Sequence, residues 1–99
     1  MDYSPKPIDT SKVELSPEIL ELTELLAEHI HDIWAQERMK DGWQVGEKRD
    51  DDKKLHPCLI PYPDLPDREK DYDRQTALQS LKAILALGYK IEKSNTPNI

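Results

Sequence analysis

Residues 16–40 read SPEILELTELLAEHIHDIWAQERMK, and most of what the chain can form follows from their pattern. Ser16, Pro17 and Glu18 are typical of a helix start: serine is a favoured N-cap, proline is tolerated in the first turn, and an acid there suits the helix dipole. Large apolar side chains then recur every three or four residues, as on one face of a helix. We expect a helix over about residues 17–40. Its apolar face consists of Ile19, Leu22, Leu26, Ile30 and Ile33, widened by Leu25, His29 and Trp34.

A second principal helix is predicted over about residues 67–87. It begins next to Pro66 and carries its own apolar stripe, and Gly88 suits the left-handed position that ends many helices. The two helices should pack across each other. The side chains expected to be buried there are Leu22, Leu26, Ile30, Ile33, Leu78, Leu81 and Leu85.

The segments outside these helices are expected to wrap around them. Residues 1–15 should be extended, with Ile8, Val13 and Leu15 reaching the core. Residues 55–66 contain four prolines, which oppose regular structure, yet their apolar side chains indicate an ordered loop held on the core.

A short β pairing is the last expected element. Gln44 and Val45 follow a glycine turn, and the alternating residues 89–91 are a candidate partner strand, while residues 47–54 are all charged and should form an exposed loop. The sequence therefore predicts a mainly α fold with two principal helices, long ordered proline-rich loops and one short two-stranded β pairing.

Composition limits the class of protein. The 99 residues should form one domain, with a core over about residues 3–91 and a frayed tail at 92–99. A single cysteine excludes a disulfide scaffold, no apolar run is long enough for a membrane helix, and we expect a cytoplasmic protein. Residues 1–32 hold eight acids and two bases, which accounts for the whole net charge of −6. With no basic face evident, nucleic acid is not expected as a partner.

Catalytic and metal sites are not indicated. His29 and His31 stand two apart on a helix and point to different sides, and His56 has no partner at ligand spacing. Cys58 lies in an apolar context that suggests a small core residue. No nucleophile elbow, P-loop or dinucleotide fingerprint is present, so we expect no enzyme activity, metal or cofactor.

Aromatic and arginine side chains are the candidate ligand-binding residues. A cleft in which an aromatic ring stacks on a ligand and an arginine pairs with an anion would use these residue types. The alternative is that the same side chains only pack the core and its rim, with the arginines paired to acids such as Asp41 or Asp73. The candidates are Trp34, Arg38, Trp43, Tyr62 and Arg74.

An ordered series of short motifs over residues 3–91 resembles the ryanodine receptor repeat, or RyR domain. Two positions depart from the usual pattern: His29 stands where the family usually has asparagine, and Val45 where an aromatic is common. The motifs are Tyr3-x-Pro5-x-Pro7-Ile8-Asp9-Thr10, Val13-x-Leu15, Leu26-Ala27-Glu28-His29-x-His31-x-x-Trp34-Ala35, Arg38, Gly42-Trp43-x-x-Gly46, His56-Pro57-x-Leu59-Ile60-Pro61-Tyr62, Leu65, Glu69-Lys70, Asp73-Arg74 and Leu85-Ala86-Leu87-Gly88-Tyr89.

This resemblance implies a mostly helical domain that acts as a non-catalytic binding module and is not itself a channel. In animal calcium-release channels such repeats occur in tandem on the cytoplasmic side, whereas the length here indicates a stand-alone copy of the bacterial kind. The expected partner is a protein or a second copy in a homodimer. The alternative function is a sensor that binds a nucleotide-like or phosphate-containing molecule in the tryptophan–arginine cleft.

Overall fold

The computed structural model describes residues 2–94, and its helices follow the predicted order. The mainly α class with a small β pairing is confirmed. The tail expected to fray lies, for residues 95–99, outside the described residues. The elements are α1 (Pro17–Leu20), α2 (Leu22–Lys40), β1 (Gln44–Val45), β2 (Leu55–His56), a 3-10 turn (Tyr62–Asp64) and α3 (Asp67–Ala86).

The helix boundaries have the local causes that the sequence indicates. The Ser16 hydroxyl accepts a hydrogen bond from the Ile19 N–H at 3.3 Å, which caps α1. Only Glu21, which keeps helical dihedral angles, separates α1 from α2, so the predicted helix over residues 17–40 is confirmed with one interruption. Gly88 follows α3 with a φ of 95°, a conformation that other residues rarely adopt.

The core lies between α2 and α3 and comprises two clusters. In the first, the buried side chains of Leu15, Ile19 and Leu81 are joined by partly buried ones from both helices. In the second, Ala27 of α2 is covered by Tyr62 and Leu65, with Cys58 and Ile60 alongside. The N-terminal half of α2 thus meets the C-terminal half of α3, and the two helices run in opposite directions.

The face that α2 presents to the core differs from the predicted one. Leu22 and Ile33 were expected to be buried but are exposed, so their predicted placement is wrong. The buried positions of α2 are Ala27 and His31, a small and a polar residue that a count of large apolar side chains overlooks. Of the other expected core residues, one is buried and four are half-buried: Leu81, and then Leu26, Ile30, Leu78 and Leu85.

Both long loop segments are held on the core, largely as expected. In the proline-rich loop, Leu59, Tyr62 and Leu65 are buried. In the N-terminal segment Leu15 is buried, and the Thr10 hydroxyl donates a hydrogen bond to the Gln79 side chain of α3 at 2.8 Å. Ile8 was also expected to reach the core, but it is exposed and belongs to neither cluster, so its predicted placement is wrong.

The short sheet pairs different residues from those predicted. β1 and β2 are parallel, with Gln44 opposite Leu55 and Val45 opposite His56. Residues 89–91 form no strand, so the predicted pairing partner is wrong. The charged loop places β2 beside β1 because it folds back on itself: Asp50 and Leu55 exchange two backbone hydrogen bonds of 2.9 Å.

Close approach of the two strands depends on Gly46. A Cβ atom at this position would lie 2.8 Å from the Leu55 Cβ, a distance that real side chains do not tolerate. Only glycine therefore lets β2 approach β1 this closely.

Within residues 2–94, no helix combines the length and the apolar character needed to cross a membrane.

Replacing Leu81 with alanine should lower the free energy of unfolding by about 2–4 kcal/mol, because it removes a buried side chain from the first cluster. The control is Leu25→Ala, at a side chain that is 66% exposed, where the loss should stay below about 0.5 kcal/mol. Urea unfolding followed by circular dichroism measures both. Equal losses in the two variants would contradict the placement of Leu81 in the core and of Leu25 on the exposed face of α2.

Candidate functional site

An open cleft of about 290 Å³ lies where the C-terminal half of α2, the loop after β2 and the N-terminal half of α3 meet. One side carries Trp34 and Arg38 of α2, with His56 at the end of β2. The other side carries Glu69 and Asp73 of α3. The cleft therefore combines aromatic rings, a cation and carboxylates within one small space.

Arg38 is held by the two tryptophans. Its guanidinium carbon lies 4.8 Å from the ring centre of Trp43 and 5.5 Å from that of Trp34, and both indoles are half-buried. Within residues 2–94, the Arg38 guanidinium makes no hydrogen bond and no ion pair with a carboxylate. The ion pair of Arg38 with an acid such as Asp41 or Asp73, which the alternative interpretation expected, is not formed. A cation positioned by aromatic rings and left without an anion can accept a ligand anion.

His56 completes this side of the cleft and presents a hydrogen-bond donor. Its ring lies edge-on to that of Trp34, with 4.9 Å between the ring centres. Its Nδ1 accepts a hydrogen bond of 3.0 Å from the Cys58 backbone N–H. With Nδ1 accepting, the proton of the neutral imidazole resides on Nε2. Burial lowers the pKa of His56, and the positive charges of Arg49 and Arg38 lower it further, so the neutral form is favoured.

His31 forms the buried end of the cleft. It is 3% exposed, and its Nε2 donates a hydrogen bond of 2.7 Å to the Ile60 carbonyl, since a carbonyl can only accept. Its Nδ1 then faces Asp73 Oδ2 at 4.0 Å. Burial raises the pKa of Asp73, the His31 charge opposes this rise, and Glu69 adds to it. Asp73 therefore favours its protonated form more than an exposed aspartate does.

Tyr62 and Arg74, the other two candidates, lie apart from this cleft around Glu24. The Tyr62 hydroxyl donates to Glu24 Oε1 at 2.8 Å, and the guanidinium of Arg74 donates to both carboxylate oxygens at 2.7 and 3.1 Å. Arg74 also donates to Asp71 at 2.9 Å. These contacts join the proline-rich loop to both helices. Arg74 thus has carboxylate partners, whereas Arg38 has none.

The pKa values around Glu24 shift as these contacts require. Hydrogen bonds from Arg74 and then Tyr62 hold the pKa of Glu24 below its ordinary value. Burial, followed by the hydrogen bond to Glu24, raises the pKa of Tyr62 to about 12. The ionised carboxylate and the neutral phenol are both favoured, which keeps this contact intact across neutral pH.

The sequence predicted that Trp34, Arg38 and Trp43 lie close together. It did not predict which residues lie opposite them in the cleft. Glu69 and Asp73 stand four apart on α3, a spacing that could have indicated one shared face. His56 lies outside a helix, and nothing in its spacing links it to Trp34. No group of three or more potential metal ligands is found within residues 2–94.

Glu24→Gln should lower the melting temperature at pH 7, because it removes the negative charge that pairs with Arg74 and replaces one of the two acceptor oxygens with an amide NH2 group, which cannot accept. A carboxyl with a lowered native pKa stabilises the fold fully above its ordinary value of 4.5, and this stabilisation disappears as the pH falls through the native value. The difference from the parent protein should therefore shrink as the pH falls below 4.5 and through the lowered native pKa of Glu24. Glu47→Gln, at an exposed carboxylate, is the control. A difference independent of pH would contradict the assigned role of Glu24.

Comparison with known protein families gives a match over most of the chain. The family model described as the RyR domain matches residues 3–93, nearly the whole chain. The match includes both tryptophans, the proline-rich loop and all of α3. The chain therefore belongs to the RyR domain family.

Proposed function

We propose that this RyR domain is a non-catalytic binding module, and that the cleft beside Arg38 is its small-ligand site. The observation that carries this is the Arg38 guanidinium, which is held by Trp34 and Trp43 and has no anion partner within residues 2–94. An arginine with its orientation already restricted loses less freedom when it binds an anion.

The ligand class that fits the cleft best is a nucleotide-like or phosphate-containing molecule. A phosphate suits the fork of Arg38, and the His56 N–H is a further donor at the cleft. Arg49 also lines the cleft, but its guanidinium is paired with Asp51 at 2.8 Å. The carboxylates of Glu69 and Asp73 can accept hydrogen bonds from amino groups on a ring. A molecule with an anionic end and a donor-bearing ring matches both sides.

A non-catalytic role is supported by the state of the one cysteine at the cleft. Burial raises the pKa of Cys58, and the charges of Glu69 and Asp73 raise it further. A nucleophilic cysteine needs a lowered pKa, since the thiolate is the reactive form. The Nδ1 of His56 is already engaged by the Cys58 backbone N–H and does not serve the thiol as a base.

Titration calorimetry with ADP, adenosine and inorganic phosphate tests the cleft. ADP should bind most tightly, because it alone among the three offers both a ring and phosphates. Arg38→Gln should weaken ADP binding about tenfold or more, since it removes a charge-assisted contact. Arg74→Gln is the matched control and should change the affinity less than about twofold, because Arg74 is engaged by Glu24 and Asp71. Absence of heat with all three probes would remove the ligand role and leave protein contacts.

A symmetric homodimer is the protein contact that we expect of a single repeat. Ile84, Leu87 and Tyr89 are exposed together around the end of α3 and offer apolar area for it. Light scattering at micromolar concentration should give twice the mass of the 11.5 kDa chain, and Leu87→Ser should restore the monomer. Monomer alone in the parent protein would end this prediction.

A further inference from the structure

We propose that the outer face of α2, defined by Leu22, Leu25, His29 and Ile33, is a docking surface for a basic amphipathic helix of a protein partner. These residues stand three and four apart and so form one stripe along the helix. The stripe lies opposite the buried positions Ala27 and His31 and shares no residue with the cleft. The inference extends the protein-binding part of the proposed function and does not depend on a small ligand.

Three large apolar side chains of this stripe are in solvent. Leu22 is 38%, Leu25 66% and Ile33 47% exposed. Single exposed apolar side chains are common on proteins, but a row of them at helical spacing forms a continuous surface. A partner helix with apolar residues at the same spacing would bury this row.

A groove deepens the surface at its N-terminal end. It holds about 400 Å³ and lies between α1, the first turn of α2 and residues 91–94. Ile19, Leu22 and Leu25 supply an apolar floor, and Ile91 contributes from the other side. An apolar anchor side chain of a partner would fit this space, as in other helix-in-groove complexes.

The acidic side chains beside this surface indicate which kind of partner would bind it. Glu21, Glu28 and Asp32 each directly precede a member of the stripe and line its edge, and Glu18 and Glu92 add carboxylates at the groove. Lys93 is the one cation among the groove residues. The entire net charge of the chain arises from residues 1–32, which contain most of this surface. A helix rich in lysine and arginine would therefore be attracted to it.

The same charges disfavour two other occupants. A second copy that docked the same face would place Glu21 and Asp32 against the identical carboxylates. An anionic lipid surface would be repelled in the same way. A basic helix is left as the occupant that matches both the apolar stripe and its acidic edge.

The test uses a synthetic helical peptide of about 18 residues with leucines three and four apart and lysines elsewhere. Fluorescence anisotropy should show binding that weakens with added salt. Leu25→Ser should reduce the affinity about tenfold, the loss expected for one buried leucine contact. The double change Glu21→Lys with Asp32→Lys should reduce it by a similar factor and flatten the salt dependence.

Matched controls separate this surface from general attraction to an acidic protein. Val45→Ser changes a similarly exposed apolar residue of β1, and Glu47→Lys reverses a charge in the loop. Neither should change the affinity by more than about twofold. A peptide with glutamates in place of the lysines should not bind.

Three results would overturn the inference. One is equal binding of the lysine and glutamate peptides, and another is binding that neither Leu25→Ser nor the double charge reversal weakens. The third is a dimer in light scattering that Leu25→Ser dissolves, because a second copy would then occupy the face. Failure of ADP to bind would leave the inference intact, since the cleft lies on the other side of α2.

Discussion

The attachment of the proline-rich loop to α2 is the constraint on which the rest of the structure depends. Its central contact is the hydrogen bond from the buried His31 Nε2 to the Ile60 carbonyl, at 2.7 Å. Tyr62 reaches Glu24 on one side of this bond, and Ala27 is covered by the same loop. Because buried polar groups are costly when unpaired, these contacts fix the loop in one position. The position of the loop in turn places His56 against Trp34.

These contacts belong to the inner face of α2, whose residues stand three and four apart and differ in chemical type. Its members make an ion pair, a close-packed contact, a buried hydrogen bond, an aromatic contact and a cation–π contact in turn. This inner face consists of Glu24, Ala27, His31, Trp34 and Arg38. A helix can therefore pack a largely polar face against a loop that supplies matching donors and acceptors.

The mixed chemistry of this inner face explains which features could be predicted from the sequence and which could not. The helix limits were predictable, because Ser16 and Gly88 act through the backbone next to them. The core face of α2 was not, because Leu22 and Ile33 have the correct spacing but the loop covers the face that contains His31. The grouping of Trp34, Arg38 and Trp43 followed from local spacing. Contacts between distant segments, such as His56 with Trp34, depend on the path of the loop and leave no local signal.

The bare backbone at Gly46 has a consequence for reading mutational data on this protein. A side chain there would push Leu55 away, and the neighbouring residue in β2 is His56, which contacts Trp34 in the cleft. Gly46 is not among the cleft residues, yet its replacement would displace one side of the cleft. In a saturation scan scored by ligand binding, position 46 would therefore resemble a contact residue although it offers a ligand no side-chain atom. Substitutions at position 46 would fail because they increase the distance between β1 and β2.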